Sequence, residues 1–145
     1  QSEDLGEIDF AQYTRDLTKR LLGSYRVGRT PIEMNVHADD IFLDISTAVP
    51  CGLLINELVS NALKYAFPRH CEVSAPHVDV KLWTENDRIV LVVADNGVGL
   101  PKEVDWRNSK TLGLQLVSLL VRQIEGTLEL VVNHGTTFRI TFAAA

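Results

Sequence analysis

Six consecutive apolar residues, Ile89 to Ala94, run straight into Asp95-Asn96-Gly97-Val98-Gly99. A strand apolar at every position has to be covered by neighbours, so it belongs in the middle of a sheet. Alternating segments stand on both sides of it in the sequence. Val78, Val80 and Leu82 alternate with Asp79, Lys81 and Trp83 ahead of a turn at Glu85, Asn86 and Asp87. Leu128, Leu130 and Val132 alternate ahead of a second turn at Asn133-His134-Gly135, and Phe138, Ile140 and Phe142 alternate after it. Hairpins in succession build a largely antiparallel ladder rather than a series of parallel crossovers.

Helical spacing fills the remaining chain. Phe10, Tyr13, Leu17 and Leu21 form an apolar stripe with Asp9 placed to cap its start and Gly23 its end. Ile32, Met34 and Val36 alternate with polar residues and, with the apolar segment Ile41 to Ile45, predict two strands paired to each other. Ser46 or Thr47 can cap a second helix that carries Pro50 in its first turn and runs to about Phe67, where Pro68 follows. A third helix starts near Leu112, presents Leu114, Val117, Leu120, Val121 and Ile124, and is stopped by Gly126. Pro68 to Pro76 and Asn96 to Thr111 lack a period and read as loops, the second long enough to be functional. The pattern predicts a two-layer α/β sandwich, a mixed and mainly antiparallel sheet with helices on one face.

A length of 145 residues suits one domain, and 46% hydrophobic with 23% charged residues is the composition of an ordinary globular chain. The net charge of -5 argues against nucleic acid as a partner, because phosphate-backbone binding needs a basic surface. Ile89 to Ala94 and Leu116 to Val121 are the longest apolar runs, too short to cross a bilayer, and no membrane contact is expected. QSEDLGEIDF has neither the basic start nor the apolar core of a secretory signal, so a cytoplasmic setting is the expectation. Cys51 and Cys71 have no metal-ligand spacing and read as free thiols of a reducing compartment.

Four polar patterns carry candidate chemistry. Glu57, Asn61 and Lys64 stand at i, i+4 and i+7, one helix face, where Asn61 offers a carbonyl oxygen to Mg²⁺ and Lys64 a compact charge to phosphate. Asp95 ends the apolar strand and can accept from an exocyclic amino group, while Gly97 and Gly99 let backbone approach a flat ligand. Thr111-Leu112-Gly113-Leu114 opens a helix whose free N–H groups suit an anion, with Gly113 allowing close approach. Thr136 and Thr137 supply hydroxyls beside Asp95. Taken singly, the same residues also fit a solvated helix face, an Asx-capped turn, an ordinary helix start and a plain hairpin. No G-x-x-x-x-G-K-[ST] occurs, which excludes a Walker-type phosphate loop. His37, His70, His77 and His134 have no nucleophile or ligand partner at a recognisable spacing and are assigned no chemistry.

The order of these segments is more specific than any one of them: NELVSNALKYAF, DNGVGLP, TLGLQLV, GTTF. This order resembles the ATP-binding catalytic domain of sensor histidine kinases, a Bergerat fold of the GHKL superfamily, where the four are the N box, two glycine boxes and the terminal Gly-Thr strand. VPCGLLINELVSNALKYAFP and the absence of a phenylalanine box resemble the subgroup related to the HWE type. The resemblance implies ATP and Mg²⁺ as cofactors, with Asn61 as the metal ligand and Lys64 and Tyr65 at the phosphates. It implies Asp95 as acceptor of the adenine amino group and Gly97, Gly99, Leu100, Thr111, Leu112, Gly113 and Leu114 as pocket wall. Glu57 matches the N-box acid, and Thr137 or Thr136 the threonine joined to Asp95 through water. Leu100 to Thr111 would be the ATP lid, with Thr111 where the family often has a glycine.

The implied reaction is transfer of the γ-phosphoryl of Mg-ATP to a histidine on a dimerisation and phosphoacceptor helical domain of the same protein, which then serves a response regulator. The histidine-bearing helix has no counterpart among these residues, so residues 1–145 are expected to be the catalytic domain alone, with residues 1–9 the end of the linker from that helical domain. Isolated, it is expected to bind ATP and not to phosphorylate itself. Two other readings stand beside it: an anti-sigma-factor-like serine kinase, and a nucleotide-binding interaction module without kinase activity.

Overall fold

The computed structural model describes residues 6–25, 31–67, 75–98 and 112–143. Strand β1 (Glu7–Asp9) leads directly into helix α1 (Phe10–Ser24). Strands β2 (Glu33–Ala38) and β3 (Phe42–Asp44) follow, then helix α2 (Ile45–Asn61), which passes into a π-helical turn over Ala62–Ala66. The chain continues as β4 (His77–Glu85), β5 (Arg88–Asp95), α3 (Leu112–Gln123), β6 (Thr127–Val132) and β7 (Thr136–Ala143). The five-stranded sheet has the order β2-β4-β5-β7-β6; β2 runs parallel to β4 and every other pair is antiparallel.

The apolar run Ile89 to Ala94 therefore occupies the centre, as its composition requires. Val78, Val80 and Leu82 of β4, Leu91 and Val93 of β5, and Phe138, Ile140 and Phe142 of β7 share the face that the helices cover, all at 9% exposure or less. Over that face α2 lies between α1 and α3, with α1 against β2, α2 against β5 and α3 against β6. Leu54, Ile55, Leu58 and Val59 of α2 and Val117, Leu120 and Val121 of α3 complete one core. Each such aliphatic side chain contributes roughly 1.5–3 kcal/mol when fully buried. The two-layer sandwich expected from the pattern is the observed architecture.

Several local expectations are corrected. β2 and β3 do not pair with each other: β2 joins the main sheet through β4, and β3 pairs with β1 in a separate two-stranded ribbon. Alternation reveals a strand but not its neighbour, and residues Glu7–Asp9, within the segment expected to be linker, supply the partner. Asp44, not Ser46 or Thr47, caps α2 by accepting from the Thr47 N–H at 3.0 Å. The helix thus starts at Ile45, which leaves Pro50 in its second turn. Gly23 lies inside α1, whose last cap is Tyr25.

The buried side of α1 includes Thr14 and Thr18 rather than Tyr13, which is 39% exposed. Their hydroxyls donate to the carbonyls of Phe10 and Thr14 at 2.8 and 2.9 Å, so neither polar group is left unpaired in the core. At the end of α3 the left-handed residue is Glu125, φ 55°, with its N–H on the Arg122 carbonyl and that of Gly126 on the Val121 carbonyl. Gly126 is required for packing: a Cβ there would stand 2.9 Å from the Thr141 carbonyl oxygen. The Asn86-Asp87 turn joining β4 and β5 has both residues at positive φ, the twist a two-residue hairpin favours.

Candidate functional site

The site begins where the central strand stops. Asp95 is opposite Val78 on one side and Thr136 on the other, so the two-residue period sends its side chain to the helix-covered face together with Leu91 and Val93. Its Oδ1 accepts the Gly97 N–H at 2.9 Å. Burial pushes the Asp95 carboxyl up from the ordinary carboxylate range, while the N–H groups of Gly97 and Thr136 and the nearby His77 pull it part of the way back. The carboxylate is thus partly desolvated and held by the N–H groups of Gly97 and Thr136, and its remaining lone pairs can accept from a ligand.

The backbone around it is held by contacts that only glycine allows. A Cβ at Gly97 would collide with the Ala66 carbonyl oxygen and stand 2.7 Å from its Cβ, and the next residue, Val98, donates its N–H to that same carbonyl at 2.9 Å. Gly135 has φ 127°, and a Cβ there would meet the Asp95 carbonyl oxygen. Asn96 is a clip rather than a ligand residue. Its Oδ1 accepts from the His77 N–H at 2.8 Å and its Nδ2 donates to the Ala75 carbonyl at 2.9 Å, tying the end of β5 to the start of β4. The Asx turn that stands as the alternative reading of the D-N-G segment is present, made by Asp95 and Gly97, and Gly135, expected as a turn residue at the head of the last strand, also packs its backbone on Asp95.

The facing wall comes from α2. Glu57 and Asn61 are half-buried and one turn apart, and the backbone of Gly113 rests on both. A Cβ at Gly113 would meet Glu57 Oε2, the end of a flexible side chain that would have to swing aside, and approach Asn61 Nδ2 at 3.4 Å, so the first turn of α3 sits close against these two side chains. Leu114, the next residue, packs partly buried against the core. Beyond Asn61 the uniform α-helical spacing assumed for Glu57, Asn61 and Lys64 does not hold. The π turn begins at Ala62, burying Ala62, Leu63 and Ala66 and leaving Lys64 and Tyr65 exposed, Tyr65 at 68%. Lys64 Nζ stands over the Tyr25 ring, 6.0 Å from its centroid. The structure therefore joins Glu57, Asn61 and Gly113 directly, and sends Lys64 toward the end of α1.

Thr136 and Thr137 are separated by the sheet. Thr136, 7% exposed, is the partner of Asp95 and lies on its face; Thr137 pairs with Ala94 and points to the opposite, open face. Of the two alternatives, Thr136 is the one that shares the Asp95 face, because adjacent strand residues alternate sides. His77, to which no chemistry was assigned, has its Nδ1 3.4 Å from Asp79 Oδ2 without hydrogen-bond geometry, and its charge when protonated favours the Asp95 carboxylate. Gly99, Leu100 and Thr111 and the lid between them lie outside the described residues, as does the side chain of Leu112, whose backbone starts α3.

Donor chemistry can be compared with the implied cofactors. Among the described residues no group of three or more His, Cys, Asp or Glu could hold a metal ion. An amide oxygen from Asn61 beside the Glu57 carboxylate suits a cation that takes few protein ligands and fills its sphere with water and phosphate, as Mg²⁺ does. Asp95, with the glycine-lined backbone at 97, 113 and 135, fits a flat base carrying an exocyclic amine. No helix among the described residues is long and apolar enough to cross a membrane.

Residues 47–145, more than half of the chain, match the family described as Histidine kinase-, DNA gyrase B-, and HSP90-like ATPase. The chain is 35% identical over 111 residues to Blue-light-activated histidine kinase 2 of Erythrobacter litoralis, covering 76% of this chain and 31% of that protein. It is 36% identical over 100 residues to the sensor histidine kinase PdtaS of Mycobacterium tuberculosis, covering 68% and 19%. The chain thus spans a third or less of the length of these relatives. Among solved structures, the histidine kinase domain of a blue-light activated histidine kinase from Erythrobacter litoralis superposes with a TM-score of 0.86 at 27% identity, over 94% of this chain and 62% of that one.

Proposed function

The chain belongs to the Histidine kinase-, DNA gyrase B-, and HSP90-like ATPase family and is homologous to sensor histidine kinases, and from that premise we propose that it is a catalytic domain transferring the γ-phosphoryl of Mg-ATP to a histidine on a helical dimerisation domain. The observation that carries the reading is that α2 and its π turn meet both halves of the site: Gly97, bonded to the half-buried Asp95, rests on Ala66, and Gly113 rests on Glu57 and Asn61. A remaining lone pair of the Asp95 carboxylate accepts from the adenine amino group, with Thr136 on the same face. Asn61 would hold Mg²⁺, which supplies charge neutralisation between the phosphates when bound. Glu57 lies beside Asn61, where it can orient a metal-bound water, and Lys64 with Tyr65 borders the phosphate end.

Catalysis of this kind is positioning and electrostatics; the acceptor imidazole supplies the nucleophile. That histidine belongs to a partner domain, and a response regulator would take the phosphoryl group onward. The relatives named above are sensor histidine kinases, which favours histidine over serine as the acceptor. The intact Asn61, Asp95 and Gly113 favour an active enzyme over a degenerate binding module. The test is to incubate the full-length protein carrying this domain with γ-labelled ATP and expose the product to acid. Loss of label in acid is expected of phosphohistidine, and acid-stable label would overturn the assignment in favour of a serine kinase.

A further inference from the structure

Tyr25 is the last cap of α1, remote in sequence from every motif that carries the nucleotide reading. Its ring is partly buried against the core, and its N–H is bonded to the Leu22 carbonyl at 3.2 Å, which anchors its backbone. Lys64 is the opposite: exposed, carried on a flexible stem in the π turn, and engaged in no salt bridge among the described residues. Its ammonium lies over the Tyr25 ring at 6.0 Å from the centroid, within the range of cation–π attraction. A lysine side chain free to sample its rotamers loses that freedom when it meets an anion, and a preset ammonium loses less.

We propose that Tyr25 is a positioning residue for the phosphate end of the nucleotide, its aromatic face holding Lys64 at the end of α1, beside the π turn that the ATP reading puts at the phosphates. This rests on the ATP reading given above and adds to it a residue from outside all four motif segments. The ring acts, not the hydroxyl, and it acts through Lys64 alone. The effect is therefore confined to ligands that carry phosphate.

Binding of Mg-ATP, Mg-ADP and adenosine is measured calorimetrically for wild type, Tyr25→Leu, Tyr25→Phe, Lys64→Ala and the Tyr25→Leu/Lys64→Ala pair. Tyr25→Leu should weaken both nucleotides by about two- to five-fold, the span of an exposed cation–π contact, and leave adenosine unchanged. Tyr25→Phe should behave as wild type, and the double variant should bind no more weakly than Lys64→Ala. Unchanged or tighter ATP binding in Tyr25→Leu, an equal loss for adenosine, an equal loss in Tyr25→Phe, or additive losses in the pair would each overturn the proposal while wild-type ATP binding leaves the functional reading intact. Wild type that binds no Mg-ATP defeats that reading instead. Should Tyr25→Leu fail to fold, the ε-methylene resonance of Lys64 in wild type decides: an upfield ring-current shift supports the contact, and an unshifted resonance overturns it.

Discussion

Replacing Asp95 with Asn separates ligand binding from stability. The Gly97 N–H already occupies Oδ1 at 2.9 Å, and the amide oxygen of Asn can keep that bond, which puts an NH₂ in place of the second carboxylate oxygen. An adenine amino group then meets a donor instead of an acceptor. The charged hydrogen bond is lost, about 1.5–3 kcal/mol, and a donor is buried unpaired, about 1–3 kcal/mol. Together these amount to at least about 2.5 kcal/mol, a drop in affinity of roughly sixty-fold or more.

Stability should move the other way. Burial raises the Asp95 carboxyl above its unfolded value, so its contribution is fully present below the unfolded pKa and is lost as pH rises through the folded one. At neutral pH the ionised group therefore costs the ligand-free fold, and Asn removes that cost. Calorimetric titration with Mg-ATP and a thermal melt without nucleotide check the two halves. An affinity within about threefold of wild type, or a melting midpoint that falls in step with affinity, would refute the reasoning.

The same raised carboxyl predicts that ATP affinity falls as pH drops through a midpoint above the ordinary carboxylate range, a fall that the Asn variant lacks when titrated in parallel. Gly135→Ala should cost about 1–3 kcal/mol for backbone conformation alone, with the clash against the Asp95 carbonyl added; urea unfolding at wild-type stability would show the turn to be unconstrained. Thr136→Val should weaken ATP binding by several-fold, and Thr137→Val should leave it unchanged, because only Thr136 shares the face of Asp95; the reverse order in a binding assay would contradict the register. Asn61→Ala should abolish the Mg²⁺ dependence of nucleotide binding, and a titration with and without the metal reads this directly.

Much of the fold was legible because burial imposes a period. The continuous Ile89 to Ala94 run marked the centre of the sheet, and the alternating flanks marked its antiparallel neighbours. What the period could not reveal is partnership. β2 and β3 each looked like a strand, yet the pairing of β3 depends on Glu7–Asp9, three residues too short to show alternation. Caps were misplaced for a related reason: Asp44, Ser46 and Thr47 are all competent, and only backbone geometry selects Asp44. At the site, Asp95, Gly97 and Gly113 could be found from residue type and order. The π turn could not, since nothing in Ala62-Leu63-Lys64-Tyr65-Ala66 distinguishes it from the α-helix it continues. The choice between Thr136 and Thr137 needed the register, because one residue changes the face.

The ribbon of β1 and β3 has a mechanical meaning. Asp9 is both the end of one strand and the cap of α1, and Asp44 is both the end of the other and the cap of α2. With Glu7 registered opposite Asp44 and Asp9 opposite Phe42, the starts of both helices are riveted to one plate. The start of α2, the helix that carries Glu57 and Asn61, is thereby fixed relative to the start of α1.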